Sequence, residues 1–128
     1  MVSSFEHMIL DVRDLDRSLE FYHGMLDLPI RRQDELDGHR IAYLKTGGTE
    51  ILLVQQAPDE QVPGLERSQG LVINFRVQNL PQVARSLEQG QVPVLRGLEM
   101  AVWGERTILV ADPDGYAVLL SEPVGTVH

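Results

Sequence analysis

Cysteine is absent from this chain of 128 residues, which excludes a disulfide framework, a thiolate zinc site and a cysteine nucleophile. Positive charge is scarce: 11 Lys and Arg stand against 19 Asp and Glu, for a formal net charge of −8. A chain this acidic is repelled by phosphate backbones and anionic lipid, so neither nucleic acid nor a membrane surface is an expected partner. No stretch nears the roughly 18 apolar residues of a membrane span, and the first residues have neither the basic start nor the apolar run of a signal peptide. These features lead to the expectation of a cytoplasmic protein. No glycine-rich phosphate loop, serine-centred triad or basic aromatic patch is present, so the nucleotide-binding and hydrolase classes have no support.

What is present is a repeat. His7-Met8-Ile9-Leu10-Asp11-Val12-Arg13-Asp14-Leu15 lies over Val72-Ile73-Asn74-Phe75-Arg76-Val77-Gln78-Asn79-Leu80, 65 positions apart at both ends. Gly38-His39-Arg40 lies over Gly104-Glu105-Arg106, and Gly48 to Leu53 over Gly115 to Leu120, with the offset drifting to 66 and then 67. So small a drift corresponds to single-residue loop insertions that preserve the order of elements. At this length the chain suits two small units sharing one core.

The first unit opens with an alternating strand over residues 7–12. Asp14 is an N-cap candidate, and Leu15, Leu19, Tyr22 and Leu26 recur at helical spacing. Strands are predicted over 29–35, 40–45 and 50–55, separated by the turn-like Leu36-Asp37-Gly38 and Thr46-Gly47-Gly48. The segment 57–69, with Pro58, Pro63 and Gly64, reads as a linker between a module at 1–56 and a second at 70–128. That second module repeats the pattern: a strand over 71–77, a helix capped by Asn79 with Leu80, Val83 and Leu87 on one stripe, and strands over 92–96, 107–111 and 116–121. Asp112-Pro113-Asp114-Gly115 is a strong turn signal. The fold class is α+β: two βαβββ modules forming a cupped mixed sheet with the helices outside.

Strand side chains alternate between faces. The apolar set Met8, Leu10 and Val12 belongs under the first helix, and Ile73, Phe75 and Val77 under the second. The opposite, open face then collects His7, Ile9, Glu50, Leu52, Val72, Asn74, Ala117 and Leu119. A mostly apolar surface with a few polar groups is the usual makeup of a small-molecule site.

A strand beginning with His, followed by Asp-Leu-Asp-Arg-Ser-Leu-Glu-Phe-Tyr at 14–22 and Leu-Asp-Leu at 26–28, resembles the opening of the vicinal oxygen chelate superfamily. Asp-Pro-Asp-Gly-Tyr at 112–116 resembles its closing turn. That superfamily holds glyoxalase I, extradiol dioxygenases, and fosfomycin- and bleomycin-resistance proteins, all built from paired βαβββ units. The resemblance implies a divalent ion held at four positions, which fall here on His7, Leu52, Val72 and Leu119. Valine and leucine offer no donor to replace a metal-bound water, so no cofactor is expected.

Individual residues keep more than one reading. His7 suits a metal ligand, a hydrogen-bonding contact to an organic ligand, or a packed remnant. Glu50 is either a displaced carboxylate beside His7 or a glutamate at the rim. Asn74 either meets a ligand or ties two strands together. Trp103 either stacks on a flat ligand or packs at a loop or dimer contact. His23, His39 and His128 read as surface residues, and Glu99 and Glu105 as loop residues. Glu122 falls on the face opposite Leu119.

The leading expectation is a metal-free protein of the bleomycin-resistance type that binds or sequesters a partly apolar organic ligand through His7, Ile9, Glu50, Leu52, Val72, Asn74, Trp103 and Leu119. The alternative is a lyase, isomerase or dioxygenase of the glyoxalase type using zinc, nickel, manganese or iron at His7 and Glu50. A third is an interaction module whose cup is filled by its own side chains. Members of the resembled superfamily commonly pair or exchange units, so a homodimer is expected.

Overall fold

A computed structural model describes residues 1–57, 70–101 and 104–124. The chain divides into two compact units, Met1–Gly64 and Leu65–His128. In the first, strand β1 (Met8–Val12) leads into helix α1 (Leu15–Leu19), which continues as a π-helical turn over Glu20–Met25, and then into β2 (Ile30–Leu36), β3 (His39–Lys45) and β4 (Glu50–Gln55). The second repeats the order with β5 (Val72–Arg76), α2 (Leu80–Gln89), β6 (Val94–Met100), β7 (Glu105–Ala111) and β8 (Ala117–Pro123).

Both units are βαβββ, and their strands form two four-stranded mixed sheets with the same plan, β1-β4-β3-β2 and β5-β8-β7-β6. The first and last strands of each unit run parallel, and the other pairs antiparallel. The registers match the repeat: Ile9 lies beside Leu52 in one sheet and Asn74 beside Leu119 in the other.

The helix side of each sheet forms its core. Leu10, Val12, Leu44, Ile51 and Leu53 are buried with Leu15, Phe21 and Tyr22 of the first helical segment. In the second unit Ile73, Val110, Val118 and Leu120 are buried with Leu80 and Leu87 of α2. Each such side chain contributes about 1.5–3 kcal/mol by leaving water.

The helical stripe predicted through Leu26 is interrupted by the π-helical turn, marked by the Leu26 amide bonding to the Phe21 carbonyl at 3.1 Å. Within it the adjacent Phe21 and Tyr22 are both buried, their rings edge to face at 4.8 Å.

Helix starts follow a shared device. Asp14 accepts from the amides of Asp16 and Arg17 at 3.0 and 3.3 Å as predicted. Gln55, at the end of β4, accepts from the Leu15 amide at 2.7 Å. In the second unit Asn79 is left-handed (φ 57°) and makes no side-chain cap, which corrects its predicted role. Glu122, the repeat counterpart of Gln55, accepts from the amides of both Asn79 and Leu80 at 2.7 and 3.0 Å. These donors hold its carboxyl below the usual glutamate range.

The turns fit their sequences. Asp37 and Gly38 are consecutive left-handed residues (φ 51° and 79°), the pattern of a tight hairpin. Asp112 Oδ1 accepts from the amides of Asp114 and Tyr116 at 2.9 and 2.8 Å, while Gly115 takes φ 92°. Three loop or surface assignments are corrected. Glu99 lies within β6, and Glu105 and His39 open β7 and β3. His39 is half-buried, with Nδ1 2.9 Å from the Gln55 carbonyl. Antiparallel pairing extends those strands to their hairpin ends, so turn residues there become ladder residues.

Candidate functional site

The candidate site is the open face of each sheet, opposite the helix. In the first unit one row across the strands reads Ile9, Leu52, Tyr43 and Arg32, and the next reads Asp11, Val54, Ile41 and Asp34. Ile9 is 57% exposed, whereas Leu52 on the inner strand is 8% exposed. His7 is half-buried just before β1, and it lies close enough to Glu50 for its charge to act on that carboxylate.

Glu50 is half-buried and paired with an arginine. Arg31 grips it with two hydrogen bonds, Nε to Oε2 and Nη2 to Oε1, the second at 3.1 Å. The Arg31 guanidinium holds the Glu50 carboxyl below the ordinary range, and His7 and Lys45 act in the same direction.

Arg31 reaches this face through a bulge. Ile30 pairs with Leu44 and Arg32 with Tyr43, leaving Arg31 as an extra residue in β2. Both guanidinium carbons then lie over the Tyr43 ring, 5.0 Å (Arg31) and 4.6 Å (Arg32) from its centroid. Strict alternation sends Arg31 and Arg32 to opposite faces, so reading the strand at period two missed this cluster.

In the second unit the corresponding rows are Asn74, Leu119, Leu109 and Arg96, then Arg76, Ser121, Thr107 and Glu99. Val72 is 50% exposed and Leu119 is 8% exposed. Asn74 and Ser121 face each other at 3.4–3.5 Å, a long contact that ties β5 to β8. Thr107 and Ser121 are buried beside one another on this face. Neither was singled out from sequence, although alternation from Leu119 placed Ser121 there. The predicted contact Trp103 lies outside the described residues, as does all of the predicted linker after Ala57.

The donor set does not fit a divalent ion. Of the four positions expected to hold one, only His7 carries a donor. Among the described residues no three His, Asp or Glu side chains gather as a metal cluster, and Glu50, the carboxylate expected beside His7, is bonded to Arg31. Also among the described residues, no helix is long and apolar enough to cross a membrane.

Residues 4–120 match the family model of the Glyoxalase/Bleomycin resistance protein/Dioxygenase superfamily. The chain belongs to that superfamily. It is 28% identical over 124 residues to the metallothiol transferase FosB of Staphylococcus epidermidis, spanning 93% of this chain and 81% of that protein. Two solved structures share the fold. A single-substitution variant of the fosfomycin resistance protein FosX from Listeria monocytogenes, complexed with Mn(II) and 1S,2S-dihydroxypropylphosphonic acid, aligns at TM-score 0.75 and 18% identity over 99% of this chain and 96% of that one. The trypanothione-dependent glyoxalase I of Leishmania major aligns at TM-score 0.75 and 23% identity over 94% and 87%.

Proposed function

We propose that this superfamily member binds or sequesters a partly apolar small organic molecule without a metal, in the manner of the bleomycin-resistance branch, using the open faces of its two sheets. The observation that carries the reading is the chemistry of the inner strands: Leu52 and Leu119 lie on those faces between neighbouring strands, at positions where the resemblance implies metal donors and these side chains offer none. Ile9, Leu52, Val72 and Leu119 supply apolar contact. His7 and Asn74 supply hydrogen bonds that fix orientation. Glu50 contributes through its pair with Arg31, and Trp103 is a further contact. In this reading modules 1–56 and 70–128 are joined by 57–69, and two chains associate as a cytoplasmic dimer, a state that light scattering at high micromolar concentration tests.

The deciding experiment is a thermal-shift screen against a panel of small organic molecules, run with and without chelator. A ligand that binds only the native state raises the midpoint. The expected result is stabilisation by an organic ligand that chelator leaves unchanged and His7→Ala weakens. Stabilisation or turnover abolished by chelator contradicts it.

Two observations favour a second reading: His7 and Glu50 directly precede the paired residues Met8 and Ile51 of adjacent parallel strands, and the FosX structure that shares the fold is complexed with Mn(II). A rearranged enzyme of the glyoxalase type would hold zinc, nickel, manganese or iron with these two residues after Arg31 moves away. Metal binding that rises in Arg31→Ala and disappears on further replacement of His7 supports that reading.

A further inference from the structure

The first unit's open face carries two guanidinium groups on one aromatic ring, and their partners differ. Arg31 is matched by the half-buried Glu50, whose two oxygens meet two of its nitrogens. Arg32 meets Asp34 through Nη2 alone, at 3.1 Å, with both side chains well exposed. Such a pair is weak and readily exchanged for a better anion.

A guanidinium presents paired donors in a plane that matches a carboxylate or phosphonate, and the ring beneath holds it in one orientation before anything binds. Lys45 is also close enough to act on Glu50. On the β2–β3–β4 side of this face Arg31, Arg32 and Lys45 outnumber Glu50 and Asp34, with Asp11 on the far edge strand β1, and on a chain of net charge −8 such a local excess of positive charge attracts an anion. The row leading away from Arg32 runs through Tyr43 and Leu52 to Ile9, so charge, aromatic ring and hydrocarbon follow in order across four strands.

We propose that Arg32, seated on Tyr43, recognises the oxyanion of an amphipathic small molecule whose apolar body lies along Leu52 and Ile9. This rests on the open face being the ligand surface and adds the charge class of the ligand. The bulge at Arg31 makes the site possible: the extra residue supplies the guanidinium that neutralises Glu50, leaving Arg32 as the cation that an incoming anion meets.

Benzoate, phenylphosphonate and the neutral benzamide test it in NMR titrations at constant ionic strength, following Ile9, Leu52 and Tyr43. At least one anion should bind about tenfold more tightly than benzamide, the size of one charge-assisted contact. Arg32→Gln should remove that preference and leave benzamide unchanged, while Arg32→Lys, which keeps charge without the fork, should restore part of it. Equal binding of all three probes, or a preference that survives Arg32→Gln, overturns the oxyanion site and leaves the open-face reading standing. If none of the three perturbs Ile9, Leu52 or Tyr43 at millimolar concentration, both fall.

Discussion

The two units share a strand plan and differ in the groups on their open faces. Both sheets have the same strand order and the same parallel register between first and last strands. Each also carries a bulge at the same point of its edge strand, at Arg31 in one and Leu95 in the other. The helix sides remain hydrocarbon in both. On the open faces Ile9, Tyr43 and Arg31 stand where the second unit has Asn74, Leu109 and Leu95. Packing against the helix keeps the inward side of the duplicated sheet apolar, while the open side carries different groups in the two units. The first open face carries an arginine pair on an aromatic ring, and the second, which has arginines of its own in Arg76 and Arg96, carries hydroxyl and amide groups where the first has that ring.

The largest effects should be the same in both units. Leu53→Ala and Leu120→Ala empty equivalent buried positions and should each cost about 2–5 kcal/mol in denaturant unfolding. Markedly unequal losses would break the equivalence of the cores. Next come the polar groups of the open faces. His7→Ala and Asn74→Ala should each weaken ligand binding by about 1–3 kcal/mol, roughly ten- to a hundredfold by calorimetry, with the unfolding midpoint preserved.

The helix starts sharpen the comparison. Asp14→Ala should cost about 1 kcal/mol. Its functional counterpart is Glu122, whose carboxyl is depressed by the Leu80 and Asn79 amides. Because the folded value is the lower one, its stabilisation is present above the unfolded glutamate pKa and is lost as pH falls through the folded value. The gap in melting temperature between wild type and Glu122→Gln should thus be widest near neutral pH and close on acidification. A gap independent of pH would remove the charge from the account. Smallest of all, Arg96→Ala breaks only an exposed pair with Glu99 and should change stability by less than about 0.5 kcal/mol.

The order of elements along the chain and the strand faces were legible because the 65-residue offset and the alternation at 8–12 and 72–76 are periodic signals, which burial of Leu10, Val12 and Ile73 follows. Glu122 was placed on the helix side by the same rule, but its capping role depends on a contact with Leu80, 42 positions away. The Arg31–Glu50 and Tyr43 cluster was not legible, since a bulge shifts alternation without any residue type that announces it. The π-helical turn was hidden in the same way: Leu15, Leu19, Tyr22 and Leu26 recur at regular helical spacing, and no residue type there announces the wider turn.

The central claim, that Leu52 in one unit and Val72 and Leu119 in the other mark open faces that hold an organic ligand without a metal, is tested most directly by metal content. Protein prepared without chelator should carry, after extensive dialysis, no stoichiometric zinc, nickel, manganese or iron by elemental analysis. One metal ion per chain, retained through dialysis and lost in His7→Ala, would contradict it.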